Sequence, residues 1–310
     1  MNKKLILSVV ALLLVAVMAW FIFGGSRGDN QNQTVKVATF SRAVDYAPLY
    51  VAEHLGWLEK DGVTIEVAEF SDMASIESNL STGNLDVLFA AAPPVAILRS
   101  KGSKLKIEGL SCTLRQEIVV RSVLNASSIT DIDGKKIAVM ENTSSHYGVL
   151  RAFEQSGLKS PVLEFMVPPQ ADLAFRNGRV DAWAVWPPFI ENIEIEGLGF
   201  PIKGGDAIIQ SVYATTEKSR LDRDENISFV LKKIEDAKSW MISNPSEAQT
   251  IVAEKLGIDR KVIELSWNKH NWGAGLNDDL RKDVTEKINF LINQGVIDSD
   301  SRETTTDIFK

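Results

Sequence analysis

The run Asn142-Thr143-Ser144-Ser145-His146 sets three hydroxyls side by side where a strand-like stretch gives way to a helix-like one. The first N–H groups of a helix lack partners within it and carry partial positive charge, so an anion or polar headgroup can dock there. Simple N-capping is the plain alternative, and it needs only one such residue. A second candidate is Asp181-Ala182-Trp183-Ala184-Val185-Trp186-Pro187-Pro188. Trp183 and Trp186 stand three apart on a strand and so on opposite faces. One belongs to the core; Trp186, at the strand's C-terminal end, is placed to line a groove, and the proline pair stops the strand there.

Catalytic and metal chemistry is thinly provided. His54, His146 and His270 are the only histidines, and none has HxxxH or HExxH spacing, so no metal is expected and they read as solvated or structural. Adjacency of Ser144, Ser145 and His146 does not make a nucleophile and base, and no GxSxG elbow occurs. GxGxxG and GxxxxGK(S/T) are absent too, so no nucleotide and no cofactor is expected. The single cysteine, Cys112, excludes an internal disulfide and any CxxC site. A net charge of −7 with no basic stripe argues against nucleic acid.

The elements that must position these residues alternate. Strand-like stretches fall at 35–39, 63–70 and 85–91, with helices at 48–57 and 73–81 and a third beginning at Pro93-Pro94. The unit repeats as strand 136–140, helix 145–156, strand 162–167, helix 170–177 and strand 182–186. This is the pattern of an α/β fold with buried parallel strands, in two lobes. From Asn226 the chain reads as mainly helical, with Val230, Ile234 and Ala237 on one face, and packs back on the first lobe. Ligands in such sheets sit at the carboxyl ends of strands. The junctions at 40–46, 91–94, 142–146 and 186–188 are therefore the candidate site.

The first segment has a different character. Lys3 and Lys4 precede an apolar run at 5–23 interrupted only by Ser8, about 28 Å of helix and close to a bilayer's hydrocarbon thickness. It is a signal anchor or a cleaved signal peptide, and Trp20-Phe21-Ile22-Phe23 extending beyond the Val17-Met18-Ala19 cut site favours the anchor. The lysines put everything after Gly24 outside the cell, with residues up to 33 as a polar tether.

Several strings resemble one family. Tyr46-Ala47-Pro48-Leu49-Tyr50-Val51-Ala52 followed by Gly56-Trp57-Leu58-Glu59-Lys60-Asp61-Gly62-Val63 is similar to the opening of the sulfonate/nitrate/taurine solute-binding proteins, whose superfamily includes binders of thiamine precursors. Further matches follow in order at 81–86, 92–94, 131–139, 144–146, 181–186 ("DAWAVW") and 245–248. The resemblance implies a type II periplasmic-binding-protein fold, with two lobes of mixed five-stranded sheets joined by a two-crossover hinge. Lobe 1 would be 34–120 with 214–310, and lobe 2 would be 121–213. It implies ligand contacts from Ser41, Arg42, Tyr46, Ala91, Ala92, Pro93, Thr113, Thr143, Ser144, Ser145 and Trp186, with no catalytic residue.

The function so implied is that of a monomeric solute-binding component of an ABC importer. It would work on the periplasmic or extracellular face of the membrane and deliver a small alkanesulfonate-, taurine- or nitrate-like anion to permease subunits. Departures from the family pattern are Ala90-Ala91 in place of Gly-Asp, Asn142-Thr143-Ser144 in place of GSS, and Pro187 in place of an aspartate; they make the first-lobe side less polar. A thiamine-precursor pyrimidine or an aromatic acid is the alternative ligand. A sensor serving a separate signalling partner, or an enzyme on the same fold, is the alternative role; pyrimidine synthases of this fold carry a cysteine-rich stretch that this chain lacks.

Overall fold

The computed structural model describes residues 34–40 and 43–309. The expected membrane segment at 5–23, and Ser41 and Arg42, lie outside them. Among the described residues no helix is long and apolar enough to cross a membrane.

The first half opens with β1 (Thr34–Phe40), a 3-10 turn (Val44–Tyr46) and α1 (Ala47–His54), which has Pro48 in its first turn. Next come β2 (Thr64–Phe70), α2 (Met73–Ser81), β3 (Val87–Ala91) and α3 (Ala92–Ser100). Proline is tolerated in these first helical turns because the N–H it removes would have no partner there. A long strand, β4 (Leu105–Arg121), leads to β5 (Lys136–Val139), α4 (Ser144–Gln155), β6 (Val162–Phe165), α5 (Pro168–Arg176), β7 (Ala182–Val185) and α6 (Phe189–Ile195). A second long strand, β8 (Gly199–Thr216), returns the chain. The remainder is α7 (Glu217–Ser243), α8 (Pro245–Leu256), α9 (Arg260–Trp267), the short β9 (His270–Asn271), α10 (Asp278–Asn293) and α11 (Arg302–Thr306).

The strand order is β2-β1-β3-β8-β4-β7-β5-β6, with β9 also beside β4. β1 and β3 are parallel, as are β5 with β6 and β5 with β7. β4 and β8 run antiparallel along their whole length, from Leu105 opposite Thr216 to Arg121 opposite Gly199. β3 pairs only with residues 211–215 of β8, and β7 only with residues 117–120 of β4. The two long strands thus pass through both halves, and each half is completed by one end of the pair. Helix α7 packs against α1, returning the C-terminal part to the first half as its apolar spacing implies.

Spacing at the residue level assigns no strand to 105–121 or 199–216. Their lengths, 17 and 18 residues, exceed the ordinary strand. Their pairing register also shifts at Ile107/Gly109, Leu110/Cys112 and Glu117/Val119, which breaks any two-residue alternation. A separate apolar cluster fills the outer part of the second half, with Ile118, Ile137, Val139, Phe153 and Ala182 among its members.

Gly109, at one of these shifts, lies beneath the Tyr213 ring: a Cβ there would fall 2.0 Å from Tyr213 Oη. Tyr213 cannot swing away freely, because its hydroxyl donates to Glu235 Oε1. Gly109→Ala is expected to cost about 1–3 kcal/mol of stability by overpacking, read as a lowered urea midpoint. An unchanged midpoint would show that the crossing strands give way easily.

Candidate functional site

A cavity of about 30 Å³ lies where β4 crosses between the halves. It has room for roughly two waters. The turn before α1 contributes Asp45 and Tyr46, the β3–α3 junction Ala91 and Pro94, and β4 Leu114 and Gln116; Thr143 and Ser144 come from the start of α4, and Trp186 from just past β7.

Three helix beginnings meet there. Those after Tyr46 and Ala91 have no side-chain cap, but they offer few free donors: Ala47 N donates to Val44 O, and Pro48, Pro93 and Pro94 carry no N–H. The third, at α4, is built by a sharp turn in which Asn142 adopts φ 60°, a left-handed conformation that asparagine tolerates. Thr143 Oγ1 caps it, accepting from His146 N at 3.5 Å, and donates to Met140 O at 2.7 Å. Its proton is therefore committed. Ser144 differs: its Oγ accepts from Gln116 Nε2 at 2.7 Å, so its own hydrogen remains for a ligand.

The opposite wall is held by the crossing strands. Ser111 Oγ on β4 donates to Asp45 O at 2.5 Å, and Ser211 Oγ on β8 donates to Asp45 Oδ2 at 2.5 Å. The turn carrying Asp45 and Tyr46 is thus pinned to both. Burial pushes the Asp45 carboxyl up to about 6, against the lowering effect of the Ser211 hydrogen bond. Tyr46 packs edge-on against Phe89 at 5.8 Å. Trp186 packs edge-on against Phe189 at 6.0 Å, while Trp183 turns to the core between Phe175 and Phe189.

Of the residues singled out in the sequence, Tyr46, Ala91, Thr143, Ser144 and Trp186 come together on this lining. Ala92, Pro93, Thr113 and Ser145 do not line it. Ala92 and Pro93 form the buried first turn of α3, and Thr113 sits in the sheet between Gln210 and Asn271. Ser145 faces a neighbouring cavity of about 10 Å³ with Gln116, Glu117, Gly148 and Ala207, and its buried hydroxyl has no hydrogen-bond partner among the described residues. Asp45 and Pro94 fall inside junctions picked from the sequence without being singled out. Leu114 and Gln116 carry no sequence signal, because their strand is not recognisable.

His146 and His270 are structural: His146 accepts from Asn142 N at 3.4 Å, and His270 Nδ1 lies 2.7 Å from Ser266 O. Among the described residues no cluster of His, Cys, Asp and Glu could hold a metal.

A two-half α/β fold threaded by two long strands, with helix beginnings around an internal cavity, is the architecture of periplasmic binding proteins. Residues 43–248 match the NMT1/THI5 like family, and the chain belongs to it. A Bacillus subtilis (strain 168) relative, provisionally named an aliphatic sulfonates-binding protein, is 26% identical and covers 96% of this chain and 92% of its own. The taurine-binding periplasmic protein of Escherichia coli (strain K12) is 28% identical over 59% of this chain and 56% of its own. The alkanesulfonate-binding protein of Xanthomonas axonopodis pv. citri, solved with MOPS, superposes with a TM-score of 0.75 at 18% identity, covering 86% of this chain and 94% of its own, a likeness of fold.

Burial holds the two histidines neutral, each pushed down to about 4. Their folded values lie below the ordinary 6.5, so stability falls as pH drops from about 6.5 towards 4. Asp45 has the opposite sign. Its folded value of about 6 lies above the ordinary 3.8, so it weakens the fold as pH rises between them and offsets part of the acid loss. Asp45→Asn removes that offset. The variant's loss of unfolding free energy between pH 6 and pH 4 is expected to exceed the wild type's by about 2 kcal/mol in urea titrations; equal losses would contradict the buried-acid assignment.

Proposed function

We propose that this chain is the solute-capturing component of an ABC importer and takes a small organic anion into the cavity between its halves. The observation that carries this reading is the start of α4 and the uncommitted Ser144 hydrogen meeting at one cavity. Such a site attracts negative charge without offering chemistry to transform it. The names of the Bacillus, Escherichia and Xanthomonas proteins give the same ligand class. The cavity residues provide no nucleophile paired with a base, so the ligand leaves as it arrived.

Release and capture need the lining to part, and β4 and β8 are the chain's route between the halves. We take lobe 1 as 34–120 with 214–310 and lobe 2 as 121–213, hinging where these strands cross, so that a permease reads the closed form. The chain would act as a monomer outside the cytoplasm, delivered by the 5–23 segment as anchor or signal.

A thermal-shift series with ethanesulfonate, taurine, nitrate, benzoate and a 4-aminopyrimidine tests the reading. A true ligand at 100 times its Kd should add about 2.7 kcal/mol of stability; no shift with any sulfonate or nitrate would refute an anion carrier. Ser144→Ala is expected to weaken anion binding about 10- to 100-fold, the worth of one hydrogen bond to a charged group. Ser145→Ala should leave affinity unchanged, since its hydroxyl faces the neighbouring cavity; equal losses in the two variants would mean that the serines act only through the helix cap.

A further inference from the structure

Four charged side chains meet outside the cavity, where β4 changes partners. Along the edge of β4 turned away from β8, β9 pairs with residues 113–114 and β7 with residues 117–120. Lys269 lies just before β9, and its carbonyl accepts from Arg115 N at 2.9 Å, which fixes it at that changeover. Its Nζ lies 2.5 Å from Glu117 Oε2 on β4, 2.7 Å from Glu191 Oε1 and 3.4 Å from Glu194 Oε2, the last two on α6. None of the four lines the ligand cavity.

The charges do not balance. One ammonium faces three carboxylates, and no other lysine or arginine among the described residues lies within 4.0 Å of them. Glu191 is fully buried, and Glu117 and Lys269 are only 12% and 18% exposed, so salt screens the group weakly. Burial opposes the Lys269 charge, but Glu191 and Glu117 outweigh it and hold the ammonium above its ordinary range. Without Lys269, Glu117 on β4 would face Glu191 and Glu194 on α6 as like charges. The lysine therefore decides whether α6 is drawn in or pushed away.

Helix α6 connects this cluster to the cavity. It begins three residues after Trp186, and its first residue, Phe189, packs edge-on against that indole at 6.0 Å. Helix α9, two residues before Lys269, packs against α6. The halves are together in this structure. Tyr147 of α4 meets Phe290 of α10 edge-on at 5.4 Å, and the cavity has room for roughly two waters. With 121–213 as one lobe, Glu191 and Glu194 lie on one side of the hinge and Lys269 on the other.

We infer that Lys269 and these three carboxylates form an interlobe latch, which holds the unliganded halves together and so sets ligand affinity from outside the cavity. This rests on the two lobes hinging where β4 and β8 cross, not on which anion is carried. A solute that needs the closed form binds more weakly in proportion as that form is depopulated.

The test is a spin-label distance measurement on the full-length protein at neutral pH, with labels at Leu173→Cys on α5 and Leu221→Cys on α7, both exposed. The native Cys112 is buried and stays unlabelled. Without ligand, Lys269→Met is expected to raise the ratio of longer to shorter distances by about fivefold or more. The Kd for ethanesulfonate should rise as the shorter-distance fraction falls, and saturating ethanesulfonate should restore the shorter distance.

Should the three unpaired carboxylates prevent folding, Lys269→Met with Glu191→Gln also removes the most buried charge, and it should shift the distances the same way by less. Unchanged distances with a lowered urea midpoint would overturn the latch and leave the cluster a prop of the fold. A shift to shorter distances would overturn it too, since the cluster would then hold the halves apart. Failure of ethanesulfonate to bind the wild type would count against anion capture, while the unliganded distances still decide the latch.

Discussion

The antiparallel pairing of β4 with β8 is the constraint on which the site depends. Each strand must extend through both halves, because β3 bonds only the C-terminal end of β8 and β7 only the C-terminal end of β4. Side chains at the crossing can then reach either way. Ser111 and Ser211 hold the Asp45–Tyr46 turn from the first half, and Gln116 reaches Ser144 at the start of α4 in the second. A ligand lodged there touches both halves at once, and capture couples to the disposition of the halves by differential contact alone.

Within that frame the electrostatics are split. The start of α4 and the Ser144 hydroxyl lie on one side, and Asp45 and Gln116 are among the residues lining the same cavity. Neither wall has an ion pair to neutralise it among the described residues. Two aromatic side chains, Tyr46 and Trp186, line the same cavity. Specificity in such a site follows from matching donors to donors' partners, not from apolar area.

Much of this was legible in the sequence. The short strands at 35–39, 85–91, 136–140 and 182–186 announced themselves because buried parallel strands read as plain apolar runs. Their C-terminal junctions therefore located Tyr46, Ala91, Ser144 and Trp186 before any packing was known. The opposite fates of Trp183 and Trp186 followed from strand periodicity. The crossing strands were not legible. β4 carries Arg115, Gln116 and Glu117 in succession, and β8 contains Pro201, Gly204 and Gly205, so neither shows a steady period. With β4 hidden, Gln116 could not be placed. Asp45 looked like an ordinary turn acid, since its burial is created by Ser111 and Ser211, more than sixty residues away in the chain. The apolar segment at 5–23 is a strong sequence feature that falls outside the described residues.

The most direct measurement is a crystal structure of the protein grown with a solute it binds. Anionic oxygens are expected within hydrogen-bonding distance of the Ser144 hydroxyl and the first N–H groups of α4, beside Trp186. Solute resting instead in the surface hollow lined by Lys101, Lys104 and Lys218, with the Gln116–Ser144 cavity occupied by water alone, would contradict it.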